Sequence, residues 1–424
     1  MLVSCVAWDR SVMLTGTDPT ARTVDQILSE MMTPAGRARI GDLYAELHTL
    51  GELHRTRLMG RLVTGYRAAD AVLRNTAAGR NRPDGRPIFK DADQHSSRRL
   101  VNRTMLMADP PDHSRLRRLV SKAFTMRAVA GLEPTIRELL DALLDDLAAR
   151  AADGETVDLM SGLAFRLPVA VIGRLLGVPA AEQPGFQQMV RDLNAVFDPD
   201  IANGDMTDAD LAADTLEAYF AELIRERRTH PREDLTSALI AARDDDDRLS
   251  EDELVAMLVQ LFTAGFETTT NLIGNGMLAL LEHPDQLARL RADPSMMPSA
   301  VEELLRYDSP VQASGRVSRA DFTLPDGTVV PENRFLLVML GAANHDPRVF
   351  SQPHRLILDR AEATPLSFGN GIHFCLGAGL ARVEARMVFT ELLRRFPSIE
   401  LAGTPQRTPY LTIWGLNRLP LRLR

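Results

Sequence analysis

The run Phe368-Gly369-Asn370-Gly371-Ile372-His373-Phe374-Cys375-Leu376-Gly377 decides how this chain is read. It sets one cysteine among Gly369, Gly371 and Gly377, with Gly379 just beyond, and opens onto a helix-like stretch from Ala378 to Phe396. A lone buried cysteine is usually a small hydrophobe. Glycines around one have another use: they let a backbone turn sharply and let a large flat object come close. A thiolate at a helix N-terminus is stabilised by free N–H groups and by the helix dipole. Such a sulfur suits a metal held on one face of a planar cofactor.

The rest of the chain bounds the answer. With 424 residues, 45% of them apolar, it can bury a large core. No Gly/Ser-rich linker and no repeat divides it, so 1–424 reads as a single domain with 1–17 as a flexible N-terminal segment. The net charge of -8 argues against nucleic acid as a partner. Cys5 and Cys375 are the 2 cysteines, which excludes a disulfide framework and points to a reducing, cytoplasmic compartment. No run of about 18 apolar residues offers a membrane span, and Met1 to Arg10 lacks the core of a signal peptide.

Periodicity predicts a mainly α protein with a small antiparallel β portion. Asp18-Pro19 is read as the start of a helix to Met32. Further helices are expected over 36–49, 110–124, 132–151, 162–176, 181–196, 207–229 and 234–242. The strongest begins at Ser250, which forms a capping box with Glu253. The acidic run before it, Asp244 to Asp247, reads as a solvated loop. Short strands are expected in 53–64, 322–324, 328–330 and 335–340. The polar segment 75–108 reads as a long functional loop.

The strong helix carries a stripe, Leu254, Leu258, Leu261, Gly265, Thr268 and Leu272, in steps of four and three, so all lie on one face. An apolar stripe that turns into Gly and Thr midway has changed its neighbour there. Glu267 stands beside it. Thr268 alone would more often just bond the carbonyl of Ala264 and bend the helix. Glu303 and Arg306 share a helical face at i and i+3, and His113 and Arg117 do so at i and i+4. Gly377-Ala378-Gly379-Leu380-Ala381 imitates a dinucleotide fingerprint but has no strand before it and no βαβ unit around it, so it is rejected.

The cysteine run resembles the heme-binding loop of the cytochrome P-450 monooxygenases, through Phe368, Gly371, His373, Cys375 and Gly377. Further motifs similar to the family's follow over about 20–424. Ala264-Gly265-Phe266-Glu267-Thr268-Thr269 looks like its oxygen-binding turn. Glu303-Leu304-Leu305-Arg306 resembles its Glu-x-x-Arg pair. That pair is completed by a later arginine, for which Pro353-His354-Arg355-Leu356 makes Arg355 the match, with Leu356 standing where Phe is more usual.

The resemblance implies heme b (iron protoporphyrin IX) ligated by Cys375, with Phe368, Gly377, Ala264 and Gly265 against it. It implies His113, Arg117, Arg316 and His373 as contacts to the propionates. Glu267 and Thr268 would manage proton delivery to dioxygen at the heme. Glu303, Arg306 and Arg355 would form a structural ion cluster. Ile88, Phe89, Val311, Gln312, Ser314, Tyr410 and Leu411 would line the substrate pocket.

Electrons would come from NAD(P)H through a ferredoxin and its reductase, since no flavin or iron–sulfur domain is fused. Arg115, Arg118 and Lys122 are candidates for docking that donor. The chain most resembles actinobacterial enzymes that tailor polyketides, so a sizeable natural product, hydroxylated, epoxidised or closed into a ring by a monomeric enzyme, is the expectation. A heme-thiolate peroxygenase and a non-enzymatic heme sensor or electron carrier are the alternatives. The first usually lacks the acid–alcohol pair. The second needs neither that turn nor a large pocket.

Overall fold

The longest element, the helix Glu251–Glu282, has its start written in the sequence. Ser250 Oγ accepts the N–H of Glu253 at 3.3 Å, and the Glu253 carboxylate accepts the N–H of Ser250 at 2.8 Å. At about 1.5 Å per residue the helix spans roughly 48 Å. It is buried over most of its circumference, packed against Arg166–Leu176, Thr207–Thr229, Met297–Tyr307 and Ala378–Arg395. A helix apolar on all sides belongs in the core of a large domain, and this one is the axle of the largest hydrophobic cluster.

The computed structural model describes residues 22–424 apart from 90, 125, 199–203 and 243–246. The N-terminal segment 1–17, the helix start at Asp18-Pro19, Cys5 and the acidic run 244–246 lie outside the described residues. The first described helix is Val24–Met31, opened by a capping box between Thr23 and Gln26. The single helix expected over 36–49 is two, Pro34–Ala38 and Ile40–Leu50, parted at Arg39, whose φ of -125 leaves the helical region. The segment 75–108 is not one loop. It holds the strand Ala78–Gly79 and the helix Ser96–Asn102.

Five short strands form one sheet in the order Leu53–Thr56, Gly60–Val63, Phe335–Met339, Ala313–Ser318, Ala78–Gly79. Its pairs are antiparallel except Gly60–Val63 with Phe335–Met339, which is parallel. Side chains alternate across a strand. Val63, Leu336 and Val338 therefore enter one hydrophobic cluster, and Leu62, Leu337 and Met339 enter another on the opposite face.

A buried ion cluster ties the helix Met297–Tyr307 to the segment after the sheet. Arg306 is fully buried and every guanidinium N–H is accepted. Its Nε and Nη2 donate to Glu303 at 2.7 and 2.9 Å, Nη1 to the carbonyls of Asn344 and Pro353 at 2.8 Å each, and Nη2 also to the carbonyl of Arg355 at 3.1 Å. The arginine that completes the cluster is Arg360, not Arg355. Arg360 Nε reaches both Glu303 oxygens at 3.1 Å. Arg355 is exposed, lends only its carbonyl, and turns its guanidinium to Gln352. Two arginines five residues apart in an irregular segment carry no periodic cue to choose between them.

Removing one partner of a buried pair strands the other charge and costs roughly 3–5 kcal/mol. Arg360→Ala is expected to lower the denaturant midpoint by an amount of that order, while Arg355→Ala, whose lost contacts are solvent-facing, should change stability by less than about 1 kcal/mol. Equal losses in the two variants would return Arg355 to the cluster.

Candidate active site

The cysteine loop is shaped by two tight turns, Leu366–Phe368 and Gly371–His373. The N–H of Cys375 closes them by donating to the carbonyl of Phe368 at 3.0 Å. Gly371 is required. Its φ is +68, and a Cβ there would stand 2.3 Å from the carbonyl oxygen of Leu73. The Arg382 guanidinium lies 4.5 Å from the centre of the Phe368 ring, pinning it. Cys375 is half-buried and faces the cavity at the start of the helix Ala378–Arg395. Burial pushes its thiol up. The N–H groups of Gly377 and Ala378 and the charges of Arg117 and Arg382 pull the other way, toward the thiolate.

The cavity in front of Cys375 has a volume of about 2840 Å³. Ordinary ligand pockets run to roughly 300–1,000 Å³, so this one has room for a large cofactor and a substrate together. One end is crowded with basic side chains. His113, Arg117, Arg316 and His373 all line it, and the rings of His113 and His373 meet edge to face at 4.4 Å. Arg80, which sequence reasoning missed, joins them, donating to the Gly315 carbonyl at 2.8 Å and to Ser314 Oγ at 3.3 Å.

Burial, and then mutual repulsion, lowers the proton affinity of this group. Arg80 falls to about 10, Arg316 falls well below its usual value, and both histidines are held neutral. Arg80 Nε, Arg316 Nε, His113 Nδ1 and His373 Nε2 are buried without a partner. Asp109, the carboxylate that tempers them, already accepts the N–H groups of Arg80 and Asn81 at 2.8 Å each.

A site this short of negative charge fits the two propionates of heme, since Arg binds carboxylates through paired charge-assisted bonds. Among the described residues no group of three or more His, Cys, Asp or Glu is placed to hold a bare metal ion.

The opposite wall is the helix Glu251–Glu282. Leu261, Ala264, Gly265, Thr268 and Leu272 face the cavity. Gly265 is also pressed from behind, where a Cβ would meet Ile172 at 3.0 Å. Thr268 Oγ1 donates to the carbonyl of Ala264 at 2.8 Å and keeps its lone pairs toward the cavity side. Glu267 points away from it. Its carboxylate is buried and accepts Asn194 Nδ2 at 2.5 Å, with Arg191 near enough to act on it. Burial pushes Glu267 up, so it holds its proton to higher pH than an exposed glutamate. Asn194 and Arg191 come from the helix Phe186–Asn194, and sequence spacing gave no pointer to either.

Of the expected pocket residues, Ile88, Phe89, Val311 and Ser314 line the cavity. Ser314 sits at the cationic end, accepting from Arg316 at 2.8 Å. Gln312 does not line it. Its amide is spent on Tyr44 at 2.5 Å and on the Ser309 carbonyl at 2.8 Å. Leu411 is also displaced, into the cluster beneath the sheet, with its N–H on Asp198 at 2.6 Å. Tyr410 likewise lies off the cavity, near Glu267. The residues of that turn that do face it are Thr412 and Ile413, the latter bridged to Val311. Arg115, a candidate for donor docking, is tied to Glu253 and Asp247.

The family model described as Cytochrome P450 matches residues 36–422. The chain belongs to the cytochrome P-450 family. The monooxygenase PikC of Streptomyces venezuelae is 41% identical over 90% of this chain and 90% of its own. The polyketide biosynthesis cytochrome PksS of Bacillus subtilis (strain 168) is 40% identical over 76% of this chain and 78% of its own. The crystal structure of P450BioI with an acyl carrier protein superposes with a TM-score of 0.85 at 32% identity, covering 93% of this chain and 99% of that one. As a cytochrome P-450 the protein is a monooxygenase whose cofactor is heme b. It acts on a small molecule with electrons supplied by redox partners. No helix among the described residues is long and apolar enough to cross a membrane.

Two outcomes follow from this geometry. In this cytochrome P-450, Cys375→Ser should abolish the thiolate band of the reduced carbon monoxide complex, and Cys5→Ser should leave it. Loss of the band in the Cys5 variant would reverse the assignment. Glu384, on the helix that follows Cys375, supplies the second. It lines the cavity, leaves Oε2 without a partner, and burial pushes its carboxyl up to about 8. The unfolded chain releases that proton near pH ~4.3. Stability is therefore complete below that pH and falls as the pH rises toward the folded value. Glu384→Gln should raise the Tm of the holoprotein at pH 8 and leave it unchanged at pH 4. An equal shift at both would show that Glu384 is already ionised in the fold.

Proposed function

We propose that this cytochrome P-450 oxidises a C–H bond of a polyketide- or macrolide-like natural product, by hydroxylation, epoxidation or ring formation. A ferredoxin and its reductase would pass it electrons from NAD(P)H. The observation that carries the reading is the apolar part of the cavity, walled by Ile88, Phe89, Phe197, Val311 and Ile413, beside Thr268 and opposite Cys375. Its size suits a multi-ring or long-chain substrate. The names of relatives such as PksS point to the same substrate class.

Heme ligated by a cysteine sulfur supplies the oxidising chemistry, activating O2 and inserting one oxygen atom. The chain's own residues do the rest. The cations at the inner end hold the propionates and fix the orientation of the macrocycle. The apolar wall excludes water and holds the substrate. Thr268 Oγ1 can turn from the Ala264 carbonyl to order a water at the reacting end, and the buried carboxyl of Glu267, released from Asn194, can resupply the proton.

Incubation of the holoprotein with ferredoxin, reductase, NAD(P)H and a panel of macrolactones tests the reading. Gain of one oxygen atom by a panel member supports it, and turnover confined to unrelated substrates would sink the class. Thr268→Ala should keep heme and substrate affinity yet lower the ratio of product formed to NAD(P)H consumed. General acid–base contributions run to about 10²–10⁴-fold, and residual waters set the lower end. Unchanged coupling would leave Thr268 as the helix-bending residue that its bond to Ala264 also allows.

A further inference from the structure

A second group of cations stands at the outer end of the cavity, apart from the propionate cradle. Arg55 and Arg61 face each other directly across the antiparallel strands Leu53–Thr56 and Gly60–Val63. Like charges in that position destabilise a sheet. The register runs on from Arg61 to Leu336 and from Leu336 to Arg316. Arg55, Arg61 and Arg316 therefore share one face of the sheet in a single row, with the buried Leu336 between Arg61 and Arg316. Arg334 enters from the turn before Phe335–Met339. Its charge and that of Arg55 both bear on Arg61, whose guanidinium burial holds below the usual value. All three line the cavity. Arg61 is 8% exposed, while Arg55 and Arg334 are exposed.

Among the described residues these arginines have no counter-ion. The chain has 57 acidic residues against 49 Lys and Arg, and many of its arginines find acids. Arg39, for one, contacts Glu30, Asp42 and Glu46. Among the described residues, none lies within ion-pair distance of Arg55, Arg61 or Arg334. Asp25, at the same cavity, accepts the N–H of Arg57 at 2.9 Å, and Asp84 is paired with Arg86. The same mouth exposes two large apolar side chains, Leu50 at 43% and Leu58 at 51%. Unpaired guanidinium groups beside exposed leucines suit a ligand with an anionic head and an apolar body.

We propose that the mouth is an anion subsite in which Arg55, Arg61 and Arg334 hold a carboxylate or phosphate at one end of the substrate, its apolar body running past Leu50 and Leu58 into the cavity. The inference rests on the cavity being the substrate chamber of the proposed monooxygenase, and it narrows the substrate to an amphiphilic anion. Arginine recognises both head groups, because its planar fork matches either one with two parallel bonds.

The test is calorimetric titration of the holoprotein with dodecanoate, dodecyl phosphate and dodecanol, which share a chain and differ in the head group. One anion or both should bind roughly tenfold or more tighter than the alcohol at low salt, and the margin should shrink as salt rises. Which anion binds tighter tells a free acid from a phosphate ester. Arg55→Ala/Arg334→Ala removes two exposed side chains, so it should fold normally and cut the margin. Adding Arg61→Ala should erase it, and Arg61→Lys should keep part of it. Equal binding of alcohol and anions by the parent, or a margin that survives in the triple variant, overturns the subsite. The carbon monoxide spectrum of the same samples separates the two failures. A normal thiolate band with no margin sinks the subsite alone, whereas a missing band sinks the monooxygenase reading whatever the margin.

Discussion

Uncompensated positive charge, buried, is the constraint around which this protein is arranged. Arg80, Arg117 and Arg316 converge, beside the neutral His113 and His373, on one end of a cavity where Asp109 is already occupied. Burying a charge without a partner is expensive, and the group answers by losing proton affinity throughout. A fold that carries such a cost is incomplete without its ligand. Two carboxylates on a flat macrocycle would remove the deficit at the place where Cys375 offers a sulfur. Binding and stability are linked here, because anything that binds the folded chain alone adds to its stability.

The helix Glu251–Glu282 turns that binding site into a reaction chamber. Its apolar circumference fixes it in the core, so the few residues that break the pattern are held at known places. Thr268 faces the cavity, and Glu267, one residue before it, faces away, since neighbouring helical positions are about 100° apart. The acid is therefore sheltered behind the helix on Asn194, while the hydroxyl stands at the front. That arrangement would keep the proposed proton donor out of the dry chamber.

Local signals made the cysteine loop, the capping box at Ser250 and the helix Thr207–Thr229 legible in the sequence, because each is encoded within a few residues. The failures share a different cause. Arg80 lies in an irregular segment far from the cysteine and reaches the cradle only through the pairing of Ala78–Gly79 with Ala313–Ser318. Arg360 and Arg355 differ only by backbone course. Thr412 and Ile413 replace Tyr410 and Leu411 because a turn has no period to set its register. Gln312 is drawn off the cavity by Tyr44 and the Ser309 carbonyl, partners that its neighbours in sequence do not reveal.

Arg306 and Arg316 are nearly equal in burial, at 0% and 2% exposed, yet they are opposite cases. Every N–H of Arg306 meets an acceptor, and its charge meets Glu303. It is finished by the fold and serves the fold. Arg316 donates through Nη1 to Ser314 and to the Gly315 carbonyl, leaves Nε buried and unmet, and has only other cations and a distant Asp109 for company. An unmet buried donor costs about 1–3 kcal/mol, more when it is charged. A chain that can complete Arg306 so fully has the means to complete Arg316 as well. That it leaves the second open, in a cavity and in line with Cys375, is the physical mark of a residue whose partner arrives from outside.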